Sequence, residues 1–510
     1  MNRATNHTIL SPFRVRVVLA VITILAAALR LHQLSAKSFW IDEGASFSFA
    51  TMPWRPFLLT LWSYQGNMTL YYFLLRGWIH FGDSEFAIRS LSVLFGVLAI
   101  PAIYLLGERL FDRPTGLVAA ALLSVHSFHI QWSQEARAYS LLTLLLVMAA
   151  YLLVCAMQSK EEKSTGYWIA FAVTAALSFY AHIFAVFVLT AFALAIAFPK
   201  PYRVQTRTVV MVALLFEHLI APMALFVLLQ HGGSQLAWLH RPALSDISEF
   251  VLLLTGQGGV FLVVIYISLA GVAFIYPAEG DNRDSDSEKE KEKKKAKWGL
   301  RLILLWLILP PLLTLAASPF KPLFSPRYMV LCVPALVLLA SAGVTRLYNL
   351  PAPRRWAGVA SFVLLMSLSG WGSYKYFANF AAENTDWRSA VHYILENQQQ
   401  GDGVVIYSSH ALCYLYYAGR AENQHKIATA PDVVYPPDPR RPVSRDEISS
   451  DTIGRQRVWL LLHDEQEKPD ELAIIESTLA GEKFQPQEKR TFPGKILITV
   501  MRYDQAPSQK

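Results

Sequence analysis

The chain has 510 residues, 54% of them hydrophobic and 16% charged, with a mean hydropathy of +0.32. An average soluble domain carries about 25% charged residues, so this composition excludes a cytosolic enzyme, a disordered tail and a nucleic-acid binder, and it points to a membrane protein. The net charge of +8 sits largely between or beside apolar segments, where it reads as topology more than as an anion-binding patch.

A helix needs roughly 17 to 25 mainly apolar residues to cross the hydrocarbon layer. Segments near 14–34, 86–106, 115–131, 139–157, 166–181, 183–199, 208–230, 249–276, 298–317, 328–347 and 355–376 meet that need, about eleven spans in all. Arg14 and Arg16 precede the first as they would a signal peptide, but no small-x-small cleavage site follows, so it reads as an uncleaved span. The run from Gly166 to Phe198 is too long for one helix. Basic flanks on both sides (Lys160 and Lys163; Lys200, Arg203 and Arg207) face the cytoplasm by the positive-inside rule, so the run goes out and returns, turning near Ala181-His182.

The same rule puts Arg3, Arg14, Arg16, Arg109, Arg113, Arg283 to Lys297, Arg354 and Arg355 inside. Residues 35–85, 132–138, the turn at His182, 231–248, 318–327 and everything after about 377 are then outside a cytoplasmic (inner) membrane, with the N-terminus cytoplasmic. The charged stretch 278–297 is low in complexity and reads as a solvated cytoplasmic loop. Beyond residue 378 the runs 403–409, 457–463 and 495–503 read as strands, with helices from Asp386 to Asn397 and from Pro469 to Ala480. The expected architecture is a polytopic α-helical membrane domain over 1–377 and a small C-terminal extracytoplasmic α/β domain over 378–510, the latter a packing or acceptor-docking module with Pro-rich 431–442 as a loop. Cys155 and Cys332 fall in apolar runs and Cys413 stands alone in the tail, which gives no disulfide framework and no metal spacing.

Four features put polar chemistry at the expected outer boundary. Asp42 and Glu43 adjoin Trp40; Gln131 to Tyr139 (QWSQEARAY) lies between two spans; Ser325-Pro326-Arg327-Tyr328 opens the tenth; His182 sits at the hairpin turn. Each has a bland reading, as solvated loop acids, a polar turn, a snorkelling arginine and a structural histidine. Together they place Asp42, Glu43, Arg137, His182 and Arg327 on one face. A carboxylate can take a proton from an acceptor hydroxyl, and guanidinium groups can neutralise a phosphate leaving group that needs no general acid.

The chain resembles the GT-C polytopic glycosyltransferases related to protein O-mannosyltransferases and to the aminoarabinose transferase that modifies lipid A. The resemblance rests on Trp40-Ile41-Asp42-Glu43, Leu70-Tyr71-Tyr72 with Leu74-Leu75-Arg76, Phe81 to Arg89 (FGDSEFAIR), Ser133 to Tyr139 (SQEARAY), Tyr180-Ala181-His182 and Pro326-Arg327-Tyr328, and covers roughly residues 15–345. It implies inverting transfer of a sugar from a polyprenyl-phosphate donor to a hydroxyl acceptor on glycan, lipid or protein, outside the membrane and without nucleic acid. It implies Asp42 as base, Glu43 as its positioning partner, and Arg137 and Arg327 as contacts to the carrier phosphate. Asn67, Tyr71, Tyr72, Glu135, Tyr139, His182 and Tyr328 are the expected substrate-binding residues. Where many bacterial relatives carry His-Pro-Pro, this chain reads Asn67-Met68-Thr69, which removes a possible metal ligand and leads to the expectation of a reaction without cofactor or metal. Two rival readings stay open: a transporter or flippase of a lipid-linked or anionic substrate, which would favour internal repeats and midplane sites, and a non-catalytic glycan-binding assembly partner.

Overall fold

The computed structural model describes residues 11–506 other than 64–65, 160, 198–201, 203, 230–238, 276–285, 380–384, 407–410, 435–443 and 464–468. Helix α1 (Pro12–Leu31) starts behind Ser11, whose side chain caps the Arg14 amide, with Pro12 in the first turn where its missing N–H costs nothing. The first expected outer loop is folded into α2 (Ile41–Thr51), α3 (Trp54–Ser63) and α4 (Thr69–Trp78). Asp42 and Glu43 occupy the first turn of α2, where the helix dipole favours carboxylates. Trp54, Leu58, Leu59 and Trp62 of α3 are exposed, an apolar stripe of the kind an interfacial helix presents to lipid.

Next come α5 (Glu85–Leu110), α6 (Arg113–Ser124), α7 (Ser127–Ser133), α8 (Tyr139–Gln158), α9 (Glu161–Ala181), α10 (Ala185–Ala197), α11 (Thr206–Leu229), α12 (Leu244–Leu254), α13 (Val260–Ile275) and α14 (Asp286–Ala317). A 3-10 segment, Pro326–Cys332, leads into α15 (Val333–Tyr348), and α16 (Arg355–Ala378) follows. Among the described residues, seven helical segments are long and apolar enough to cross a membrane, and they coincide with the expected spans beginning near 14, 86, 139, 208, 298, 328 and 355. Helices α10 and α13 are apolar but shorter. The expected hairpin turns as the charges suggested: α9 ends at Ala181 and α10 begins at Ala185.

Two expected spans are corrected, because each is broken in the middle. The 115–131 segment stops at Ser124 and restarts at Ser127, since the buried Arg30 guanidinium takes the carbonyls of Leu123 (3.2 Å) and Ser124 (3.0 Å) that would have continued the ladder. The 249–276 segment breaks at Thr255–Gly259, where Gly256, Gln257 and Gly259 have φ of +88°, +58° and +95°. The freed carbonyls are met by His126 Nε2 on Leu254 O (3.1 Å) and Ser127 Oγ on Gly256 O (2.7 Å). A third correction concerns the charged stretch. Its residues 278–285 lie outside the described ones, but from Asp286 it is the helical start of α14 and not a loop, as strong helix formers and a Glu290–Lys294 pair at 2.9 Å allow.

The C-terminal region continues with α17 (Trp387–Asn397), β1 (Gly403–Ile406), α18 (Ala411–Asn423), β2 (Asp432–Val434), α19 (Arg445–Thr452), β3 (Arg457–His463), α20 (Pro469–Gly481), β4 (Phe484–Phe492) and β5 (Ile498–Gln505). The sheet order is β2-β1-β3-β5-β4, parallel among β2, β1 and β3 and antiparallel from β3 to β5 and β4. Val405, Val458, Leu460, Leu462, Ile475 and Leu479 pack between the sheet and its helices. The expected strands and both expected helices are present. The Pro-rich loop is corrected at its start, where Asp432 to Val434 pair with β1, while 435–442 lie outside the described residues.

The chain divides into two compact units. The first comprises 1–32, 54–74 and 89–376; the second comprises 33–53, 75–88 and 377–510, so two stretches of the first expected outer loop belong with the sheet.

Candidate functional site

In the first unit the residues singled out from the sequence gather at helix ends. Arg137 lies on the 134–138 connection between α7 and α8, a tight turn in which its amide donates to Glu135 O at 2.7 Å. Arg137 Nη1 donates to Tyr72 Oη at 3.3 Å, which ties the connection to α4. Ser92 of α5 braces it from beneath: Ser92 Oγ donates to Arg137 O (3.2 Å) and accepts from Tyr71 Oη (2.8 Å). Tyr71 and Tyr72 are both buried, so α4 delivers them by spending its apolar face on packing and its hydroxyls on Arg137 and Ser92.

His182 stands in the turn between α9 and α10, 1% exposed. The Phe184 amide donates to its Nδ1 at 3.1 Å, which places the proton of the neutral ring on Nε2. Asn67 accepts from the Ile183 amide through Oδ1 (3.1 Å), and its Nδ2 is 3.4 Å from His182 Nε2. Both contacts tie the Asn67 amide to the turn that bears His182. Burial, then the charges of Arg137 and Arg327, push the His182 imidazole down from 6.5 to about 3. That ring is neutral at physiological pH and donates without being able to compete for the anion that two guanidinium groups attract.

Arg327 and Tyr328 come from the 3-10 segment that opens α15, with the Arg327 guanidinium 5.3 Å from the Tyr328 ring centre. The Tyr328 ring lies 5.1 Å from His182, 4.6 Å from Phe184 and 6.3 Å from Tyr139, and Tyr139 in turn lies 4.2 Å from Trp132. Asn67, Tyr71, Tyr72, Glu135, Arg137, Tyr139, His182, Arg327 and Tyr328 all fall in this unit, and the contacts above bring all but Glu135's side chain into one basic, aromatic-lined cluster. Such a surface can hold a phosphate on its cations and stack a sugar on its rings.

Asp42 and Glu43 fall in the second unit. Glu43 is fully buried and Asp42 partly exposed. Gly44 follows them at a close approach to α18: a Cβ there would meet Leu412 C at 3.2 Å and Cys413 N and Sγ at 3.3 Å. Burial first, then Glu43 and Asp42, push the Cys413 thiol well up, so it stays protonated beside the acids. Among the described residues no group of three or more His, Cys, Asp or Glu could hold a metal ion.

The sequence reading passed over Gln134, which lies inside the SQEARAY motif. Its Nε2 donates to Arg30 O (3.0 Å) and His32 O (2.7 Å), and its Oε1 accepts from Tyr376 Oη (3.0 Å), so one buried amide joins the ends of α1 and α16 to the connection that bears Arg137. Its place in the motif was a signal; its three partners were not visible.

Residues 69–226 match the family model described as dolichyl-phosphate-mannose-protein mannosyltransferase. No curated protein sequence matches the chain significantly. Among solved structures, 94% of the chain superposes on 97% of ArnT from Cupriavidus metallidurans bound to undecaprenyl phosphate, at a TM-score of 0.59 and 10% identity. It superposes 94% of its length on 73% of the Archaeoglobus fulgidus oligosaccharyltransferase tethered to an acceptor peptide (TM-score 0.53, 11% identity). A third match, the arabinofuranosyltransferase AftD from Mycobacteria, is covered over 40% of its length by 97% of this chain (TM-score 0.55, 13% identity). At these identities the likeness is one of fold. Residues 69–226 thus match that family model, and the chain as a whole shares the fold of ArnT and of the Archaeoglobus fulgidus oligosaccharyltransferase.

Proposed function

We propose that this chain is an integral-membrane, inverting glycosyltransferase that moves a sugar from a polyprenyl-phosphate donor to a hydroxyl acceptor on the outer face of the cytoplasmic membrane. The observation that carries the reading is the cluster in which Arg137 and Arg327 both bear on neutral His182 among Tyr72, Tyr139 and Tyr328. Its neighbour in fold, ArnT, was solved bound to undecaprenyl phosphate, which supports a lipid-linked phosphate as the ligand.

In this reading Asp42 takes the proton of the acceptor hydroxyl as its oxygen attacks the anomeric carbon from the face opposite the phosphate. The bond from that carbon to the phosphate oxygen breaks, and the carrier departs as polyprenyl phosphate. Arg137 and Arg327 stabilise the charge that grows on the leaving oxygen, while Asn67 and His182 donate to a donor oxygen and the tyrosines hold the sugar. Glu43 orients the acceptor or sugar, and Glu135 lies on the connection that carries Arg137. The chemistry so described uses side chains alone, without a metal.

Radiolabelled polyprenyl-phosphate hexoses and pentoses, offered to the purified protein with a hydroxyl-bearing acceptor extract, test this directly. Release of free polyprenyl phosphate with label moving to acceptor is the expected result. A labelled donor that crosses a vesicle membrane intact would instead make the chain a flippase.

A further inference from the structure

The stretch that leads into the acid pair is gripped by the C-terminal domain through one arginine. Arg388, near the start of α17, donates from Nη2 to Ser35 O (2.8 Å) and Lys37 O (3.1 Å), and its backbone amide donates to Ser38 Oγ (3.2 Å). Its Nε and Nη2 also reach the two carboxylate oxygens of Glu85, at 3.2 and 2.6 Å. Glu85 is 6% exposed and accepts a further hydrogen bond from Tyr417 Oη of α18.

Tyr417 completes the circuit, because its Oη accepts from the Phe39 amide at 2.7 Å while it donates to Glu85. Burial, then the Glu85 charge, push this phenol well above its ordinary value, so it remains a donor. Cys413 Sγ contacts Phe39 O at 3.7 Å, and Ser38 Oγ donates to Asp386 Oδ1, the N-cap of α17. The rings of Phe39 and Phe47 lie 4.4 and 4.9 Å from that of Tyr416. Four backbone groups between Ser35 and Phe39 are therefore held, three to seven residues before Asp42, and Gly44 is pressed on α18 just after it.

We infer that Arg388, Glu85 and Tyr417 are positioning residues: a clasp through which the C-terminal α/β domain sets the register of the Asp42 helix, making that domain a working part of the transferase. The inference rests on the reading of Asp42 as the base. Bidentate pairing fixes orientation as well as distance, and a buried carboxylate that loses its guanidinium must find another arrangement. A displacement of the base of about 1 Å costs on the order of 10²-fold in rate. The donor-phosphate residues Arg137 and Arg327 lie in the other unit, so the clasp acts on turnover and not on donor affinity.

Hydrogen-deuterium exchange of the full chain in lipid nanodiscs reads the clasp without reference to activity. In Arg388→Met and Tyr417→Phe, peptides over 35–47 are expected to exchange at least about tenfold faster while β1, β3 and β5 keep wild-type protection. Donor turnover in the same variants is expected to fall about 10- to 100-fold in kcat with KM for donor within about twofold. Arg388→Lys, which keeps the charge but not the fork, should recover part of the loss, and Glu85→Gln combined with Arg388→Met should be no worse than Arg388→Met alone. Tyr417→Phe keeps the test valid if loss of Arg388 unfolds the domain. Unchanged exchange over 35–47 in both variants overturns the clasp. Faster exchange with wild-type kcat overturns its role in positioning. A wild-type rate in Asp42→Asn would sink the base assignment instead, and leaves the exchange result to judge the clasp by itself.

Discussion

In the first unit, Arg137 and Arg327 stand among Trp132, Tyr139, His182, Phe184 and Tyr328, on connections braced by Ser92 and Gln134; in the second, the residues before Asp42 are held largely by one ion pair, one phenol and a few main-chain bonds. Aromatic packing spreads its stabilisation over many weak contacts, so no single substitution removes it. The clasp concentrates its hold in three side chains. The proposed donor-binding surface is thus built stiff, whereas in the inferred clasp the acid-bearing helix takes its register from α17 and α18. Variants in the two regions should therefore fail in different ways.

The largest effects that sharpen this contrast belong to the two guanidinium groups. Arg137→Ala and Arg327→Ala are each expected to lower donor turnover by about 10²- to 10³-fold, the scale for removing one preorganised donor from a developing oxyanion. Donor affinity should fall with it, measured by binding of labelled polyprenyl-phosphate sugar. Unchanged affinity and turnover in both variants would remove the phosphate assignment.

Smaller in size is the effect of Gln134→Ala, which removes the hydrogen bonds to the carbonyls of Arg30 and His32 and from the Tyr376 hydroxyl. Each such bond contributes about 0.5–1.5 kcal/mol. A fall of several degrees in thermal midpoint is expected, together with weaker donor binding because the Arg137 connection loses its anchor. A wild-type midpoint would show that the amide is not the joint the contacts describe.

The subtlest expectation concerns pH. Because His182 is held at about 3 against 6.5 in the unfolded chain, the unfolded state binds the extra proton between those values, so folding stability declines as pH drops through that window. His182→Asn, which cannot titrate, should show a shallower decline of thermal midpoint from pH 6.5 to 4 than the wild type. Equal slopes would mean that the ring is not buried neutral.

Seven of the expected spans, the 181–182 turn and the three apolar strands were legible because burial in lipid or in a sheet writes continuous apolar runs into the chain. Even the Asp386 cap was readable, and its Oδ1 does accept from the Ser389 amide at 3.2 Å. Other features have their cause far away. The break after Ser124 is set by Arg30, 94 positions earlier. Strand β4 (FQPQEKRTF) is exposed along seven of its nine positions as an edge strand, so it has no apolar alternation to reveal it. Among the site residues, the motif arginines and tyrosines were found by their order along the chain. Arg388 lies outside every motif, and its bond to Glu85 spans 303 positions, a pairing that only the folded chain displays.

The central claim is that Asp42 supplies the base for sugar transfer from a polyprenyl phosphate. Purified Asp42→Asn, folded to the wild-type thermal midpoint and loaded with labelled donor, is the direct test under single-turnover conditions. The account predicts that labelled donor still binds while release of polyprenyl phosphate slows by three orders of magnitude or about that. Release at the wild-type rate would contradict it.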